Sequence, residues 1–143
     1  MIINEIRKTT PELQTQILYL LKQLTNKEIQ FTFDDFNSIV NSEHSILIGA
    51  FNDNILVGIL TLAIIQIPTS KNGRIEDVIV DENYRGEGIG KRLSLEAIRI
   101  GKELGLSKLF LTSNPKRIEA NRLYQKIGFK LGTTNSYFYE MNK

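Results

Sequence analysis

The chain has 143 residues, 41% of them apolar and 24% charged, which are values of one globular domain with a single core. With no Cys and one His, it cannot hold a disulfide framework, a cysteine-linked acyl intermediate or a zinc site of the usual nitrogen and sulfur kind. The net charge of +2 is unevenly spread: residues 1–73 carry 5 basic and 7 acidic side chains, residues 74–130 carry 12 and 8, so the middle of the chain suits an anionic ligand. The acidic first half would suit a cationic partner such as an amine, or is ordinary surface scatter. No leader-like start and no apolar run of bilayer length stand in the sequence, and the expected location is cytoplasmic.

In chain order, residues 2–7 read as a first strand. Thr10 and Pro11 make an N-cap and first-turn pair, and Leu13, Ile17, Leu20, Leu21 and Leu24 follow at helical spacing. Thr32 to Asp35 resembles a capping box for a second helix with Phe33, Phe36, Ile39 and Val40 on one face. Residues 46–51 and 55–67 read as strands joined by an Asn52-Asp53-Asn54 turn, residues 68–73 as a loop, and residues 74–80 as a fourth strand. A third helix starts near Ile89, with Ile89, Leu93, Ala97, Ile100 and Leu104 as its stripe and Gly105 just past its end. Residues 108–112 form a fifth strand and residues 118–127 a fourth helix closed by Gly128. A last hairpin is expected from residues 129–131 and 137–141. No repeat or linker interrupts the pattern, so a single domain over 1–143 is expected. Early hairpins followed by strand–helix–strand units imply a mixed sheet with helices on its faces.

The most informative stretch runs from Ile75 to Lys91. An apolar strand passes through a polar turn into Arg85-Gly86-Glu87-Gly88-Ile89-Gly90-Lys91, and a helix begins at once. Free backbone N–H groups and the positive end of the helix dipole converge there, and glycines let a phosphate approach without a Cβ in the way. Only three residues separate Gly86 from Gly90 where a Walker A loop needs four, and Arg92 follows Lys91, so a Walker A loop is excluded. The alternate spacing of Gly86, Gly88 and Gly90 also misses the dinucleotide pattern G-x-G-x-x-G.

The spacing Arg85-x-x-Gly88-x-Gly90 resembles the pyrophosphate loop of the GNAT N-acetyltransferase superfamily. A second stretch, Asn114-Pro115 and then Ala120-Asn121-Arg122-Leu123-Tyr124-Gln125-Lys126-Ile127-Gly128-Phe129, is similar to that superfamily's later helix. The two stand in the family's order and together cover roughly residues 73–130. The Ile-Glu-Asp-Val lead-in looks most like the glucosamine-6-phosphate acetyltransferase branch. The resemblance implies the GNAT acyl-CoA N-acyltransferase fold, an α+β arrangement with a central mixed, largely antiparallel sheet flanked by about four helices. It implies acetyl-coenzyme A as donor, coenzyme A as product, and direct attack by a primary amine in a ternary complex. It also implies that strands four and five splay apart for the cofactor.

On that resemblance, Arg85, Gly86, Glu87, Gly88, Ile89, Gly90 and Lys91 would wrap the pyrophosphate, mostly through backbone N–H groups. Val78, Ile79 and Val80 would hold the cofactor arm by main-chain bonds, with one N–H aimed at the developing oxyanion. Asn114 and Asn121 would bond the pantetheine arm; each also reads as a local turn or solvated helix residue. Tyr124 is the candidate general acid for the departing thiolate and also fits the apolar stripe of its helix. Glu76, sharing a face with Val78 and Val80, is the first candidate to take the amine proton, with Asp77 second. The alternative for Glu76 is a salt bridge to Arg74, with water as the other acceptor for the proton. His44 reads as a surface residue. The implied acceptor is a small amine or amino sugar, with a peptide amine open. A non-catalytic acyl-coenzyme A sensor is the second reading. No aromatic-basic interleaving supports nucleic acid, no segment supports a membrane, and a homodimer stays open.

Overall fold

The computed structural model describes residues 1–142. The chain divides into two compact units, Met1–Thr112 and Ser113–Lys143.

The N-terminal unit is a five-stranded sheet in the order β1-β2-β3-β4-β5, with β1 Ile2–Glu5, β2 Ser45–Asn52, β3 Ile55–Ile67, β4 Ser70–Val80 and β5 Leu109–Phe110. The first four strands pair antiparallel and β5 pairs parallel to β4, so the sheet is mixed, as the pattern of hairpins and crossovers predicts. Helix α1, Pro11–Leu24, starts on Thr10, whose hydroxyl accepts from Leu13 N. Helix α2, Phe33–Val40, carries the predicted capping box: Thr32 accepts from Asp35 N, and the Asp35 carboxylate accepts from Thr32 N, which holds that carboxyl below its usual range. Asp53 and Asn54 sit at φ 47 and 68, the two left-handed residues that a tight hairpin needs.

Helix α1 and helix α2 cover one face of the sheet. Their Ile17, Leu20 and Phe36 pack with Ile6, Leu47, Leu56, Ile59 and Ile79 in one cluster. Each fully buried side chain of this size contributes about 1.5–3 kcal/mol. Helix α3, Ile89–Glu103, covers the other face: a Cβ built on Gly58, the neighbour of Ile59, would meet Ile89 at 3.0 Å and Leu93 at 3.3 Å. It ends as the glycine signal predicts. Gly105 has φ 71, its N–H donates to Lys102 O, and Leu106 N donates to Gly101 O.

Three boundaries depart from the sequence reading. The loop expected over 68–73 is mostly strand, because β4 begins at Ser70 and the turn is confined to Pro68 and Thr69. The first strand ends at Glu5, and the fifth keeps only Leu109 and Phe110.

In the C-terminal unit, helix α4 spans Ile118–Lys126. Gly128 at φ 115 donates to Gln125 O, and Phe129 N donates to Tyr124 O, so the helix stops on the same two-bond motif as α3. The Tyr124 and Phe129 rings close it edge to face at 5.9 Å. The expected final hairpin is absent: among the described residues 129–142 no strand is formed. A two-stranded hairpin on its own is marginal in water, whatever its aromatic content.

Candidate functional site

β4 is not a regular strand. Ile79 pairs with Ile59 and Glu76 with Thr61, so Asp77 and Val78 together oppose the single residue Leu60. This is a β-bulge, and Asp77 adopts φ 50 to make it, a conformation a non-glycine residue seldom takes. The bulge overturns one expectation. Ile59 and Thr61 lie on one face, so Glu76 shares its face with Ile79, not with Val78 and Val80. Glu76 is instead held by Arg74, Nε to Oε1 3.0 Å, the salt bridge that the sequence offered as the alternative. Asp77 is exposed, and its carboxyl is raised above the ordinary range, first by partial loss of hydration and then by the neighbouring Glu76 carboxylate.

After β4 the chain is fixed closely. Asp81, buried, donates its N–H to Val57 O at 2.8 Å and accepts from Asn83 N on its carboxylate at 3.0 Å. A short 3-10 turn, Glu82–Tyr84, follows. The Tyr84 hydroxyl accepts from Asn52 Nδ2 at 3.1 Å, and Glu82 N donates to Gln23 Oε1 of α1 at 2.9 Å. Arg85 turns back, its Nε donating to Val80 O at 3.2 Å.

Then come the glycines. Gly86 has φ 84 and Gly88 φ 80, and a Cβ on either would meet no atom within 4 Å. Gly88 is the N-cap of α3 and no side chain caps that helix, nor does an acidic residue stand in its first turn. Helices α1 and α2 have both. The N–H groups of Ile89, Gly90 and Lys91 therefore face an open cradle at the positive end of a 15-residue helix. Arg92 N is the first to bond within the helix, to Gly88 O at 3.1 Å. Ile89 is buried and anchors the turn from below, and Ser94 Oγ donates to Gly90 O at 2.8 Å. Glu87 stays on the surface, as a residue whose side chain is not needed would. This donor set fits a phosphate or pyrophosphate.

In the C-terminal unit, Tyr124 is 8% exposed and its hydroxyl is pushed up by burial, opposed by the Arg117 charge. Asn121 Nδ2 donates to Asn114 O and Arg117 O, at 2.9 and 2.8 Å, and Asn114 Oδ1 accepts from Lys116 N. Both asparagines thus tie down the entrance to α4, Asn114 as the turn residue the sequence allowed and Asn121 through bonds the sequence did not suggest. His44 is exposed. Among the described residues no cluster of three acidic or imidazole groups could hold a metal, and no helix is long and apolar enough to cross a membrane.

Sequence reasoning missed Gln23, Asn52 and Tyr84. The signal for Gln23 was present: with Gln16 it interrupts the stripe of α1 on either side of Leu20. A cavity of about 420 Å³ lies away from this site, against β1 and the later part of α3. Its charged walls are already matched, Glu5 with Arg7 and Arg99 with Glu96 and Glu103.

Known proteins resemble this chain in sequence and in fold. Over 58 residues the chain is 41% identical to a glucosamine 6-phosphate N-acetyltransferase of Trypanosoma brucei brucei, covering 41% of this chain and 37% of that protein. Over 110 residues it is 30% identical to a spermidine N(1)-acetyltransferase of Thermoplasma acidophilum, covering 75% and 66%. It spans about a third of the length of the first curated relatives it matches. The fold is that of an aminoglycoside acetyltransferase from an uncultured soil metagenomic sample, solved with sisomicin, at TM-score 0.85 and 20% identity over 99% of this chain and 95% of that one. A family profile described as Acetyltransferase (GNAT) family matches residues 9–129. Because that profile runs through the bulged strand, the glycine loop and α4 alike, the chain belongs to the GNAT acetyltransferase family.

Proposed function

We propose that this chain is an N-acetyltransferase that moves an acetyl group from acetyl-coenzyme A to a small primary amine. The observation that carries this is the uncapped start of α3, with Gly86 and Gly88 at positive φ around open space. The N–H groups of Ile89, Gly90 and Lys91 would take the pyrophosphate, with Arg85 and Lys91 adding charge. Val78, Ile79 and Val80 would offer main-chain groups to the pantetheine arm, the bulge turning the Val78 amide out of the β3 ladder. The donor supplies an activated thioester carbonyl.

Asp77 is the stronger candidate for the amine proton. It stands free on the bulge with a raised affinity for protons, whereas Glu76 is paired with Arg74. Tyr124 would donate a proton to the departing thiolate, its burial keeping it in the acid form at neutral pH. Asn114 and Asn121 would serve the pantetheine arm through the groups their local bonds leave free. The named relatives act on amino sugars and polyamines. A small cationic amine is the acceptor class we assign, with Asp77 as its counter-charge. The absence of Cys suits a cytoplasmic setting. A homodimer would draw on the exposed Leu131, Tyr137, Phe138 and Tyr139.

Titration calorimetry with acetyl-coenzyme A, followed by thiol release against amino sugars, polyamines and aminoglycosides, tests the reading. Binding with thiol release on one class supports it and names the acceptor. Binding without release leaves a sensor, and no binding refutes the cradle.

A further inference from the structure

The two glycines that open the cradle have no side chains to hold them, so their geometry must be set from the flanks. Downstream, Ile89 and Leu93 anchor α3 in the core. Upstream, the segment 81–85 is held by bonds to three separate elements. Val57 of β3 accepts from Asp81 N, Asn52 of β2 donates to the Tyr84 hydroxyl, and Gln23 of α1 accepts from Glu82 N at 2.9 Å. The first continues the sheet ladder and the second joins the last residue of β2 to the 3-10 turn. The third comes from a helix 59 positions earlier and has no counterpart in the sheet ladder.

Helix α1 is set for that contact. Gln16, Leu20 and Gln23 lie on one side at spacings of four and three. Leu20 is fully buried, and Gln16 Oε1 accepts from Leu56 N at 2.9 Å. So the helix is docked at its middle, and Gln23, near its end, reaches the turn. Its Nε2 is buried, and its Oε1 holds the Glu82 N–H.

We propose that Gln23 is a positioning residue for the cofactor loop: by fixing Glu82 N it sets the entry angle of Arg85 to Gly88 and preorganises the N–H groups that receive the pyrophosphate. This rests on the cofactor reading of the loop given above. One neutral hydrogen bond of this kind contributes about 0.5–1.5 kcal/mol, so its loss corresponds to roughly a 2- to 10-fold change in affinity. The change belongs to cofactor binding, because α1 stays docked through Leu20 and Gln16.

The test uses the whole chain with two variants. Gln23→Met keeps length and removes the acceptor; Gln23→Glu restores an acceptor for Glu82 N. Amide hydrogen exchange is read first, without any ligand. Gln23→Met should speed exchange at Glu82 and through residues 83–88, leave β2 and β3 unchanged, and be reversed by Gln23→Glu. Calorimetry should then show acetyl-coenzyme A bound about 2- to 10-fold more weakly by Gln23→Met, with KM raised and kcat at saturating cofactor close to wild type. Unchanged exchange at residues 82–88 overturns the brace. Faster exchange with unchanged affinity overturns its role in binding while the cofactor reading stands. A wild-type chain that binds no acetyl-coenzyme A overturns the cofactor reading and this role with it.

Discussion

Replacing Gly88 by Ala separates what the loop costs the fold from what it gives to binding. At φ 80 an alanine is strained by about 1 kcal/mol. No atom lies within 4 Å of the new methyl group, so no clash adds to that. A domain of this size should lose about 2–4 °C in melting temperature. The methyl group would, however, project into the space where an anion must sit to meet the N–H groups of Ile89 to Lys91. Losing two charge-assisted bonds at about 1.5–3 kcal/mol each weakens binding by roughly 100-fold or more. Gly105 is the control. It has φ 71 and equally open surroundings at the far end of α3, so Gly105→Ala carries the same backbone strain without touching the cradle. Differential scanning fluorimetry and calorimetry with acetyl-coenzyme A should show both variants slightly less stable and only Gly88→Ala defective in binding. Equal melting shifts with equal, wild-type affinities would refute the reasoning.

Other consequences can be checked in the same preparations. Asp77→Asn should lower kcat/KM by about 100-fold or more, as loss of a proton acceptor does; wild-type turnover would pass the role to Glu76 or water. The same variant has a signed effect on stability. The native carboxyl of Asp77 is raised above its unfolded value, so its contribution to folding is greatest in acid and is lost as pH rises through the native value. Asp77→Asn should therefore melt higher than wild type at neutral pH and lose that advantage in acid, and a melting series in buffers from acid to neutral reads it directly. Tyr124→Phe should reduce turnover and leave cofactor affinity and the packing on Phe129 intact; normal turnover would make Tyr124 a packing residue only. Gly73→Ala would bring a Cβ to 2.6 Å from Leu109 and 2.9 Å from Leu62, and should cost about 1–3 kcal/mol in urea unfolding.

Features specified by neighbouring residues were legible in advance. Thr10-Pro11, the Thr32 to Asp35 box, Asp53-Asn54, Gly105 and Gly128 each name a cap or turn whose chemistry is local, and each formed. The glycine loop was legible for the same reason, since spacing alone excludes other phosphate motifs. The bulge at Asp77 was not. It is a register shift against β3, a property of two strands, and it sets Glu76 on the face of Ile79 instead of that of Val78 and Val80 and leaves Asp77 exposed at the bulge. The Gln23 bond was hidden likewise, because the residues it joins are far apart in sequence. The failed final hairpin shows the converse: Tyr137, Phe138 and Tyr139 have strand-like composition, but pairing needs a surface that composition cannot supply.

Every strand in the sheet lies beside its neighbour in sequence, from β1 through β5. In such an order each new strand can add to the edge already formed, through a tight turn between β2, β3 and β4 and across α3 between β4 and β5. During synthesis the bulged strand, the glycine turn and α3 can therefore reach their final arrangement while residues 113–143 are still inside the ribosome. The portion of the chain that would grip the nucleotide end of the cofactor is complete before the portion carrying Tyr124 emerges, so a cofactor present in the cell could trap the nascent sheet in its folded form.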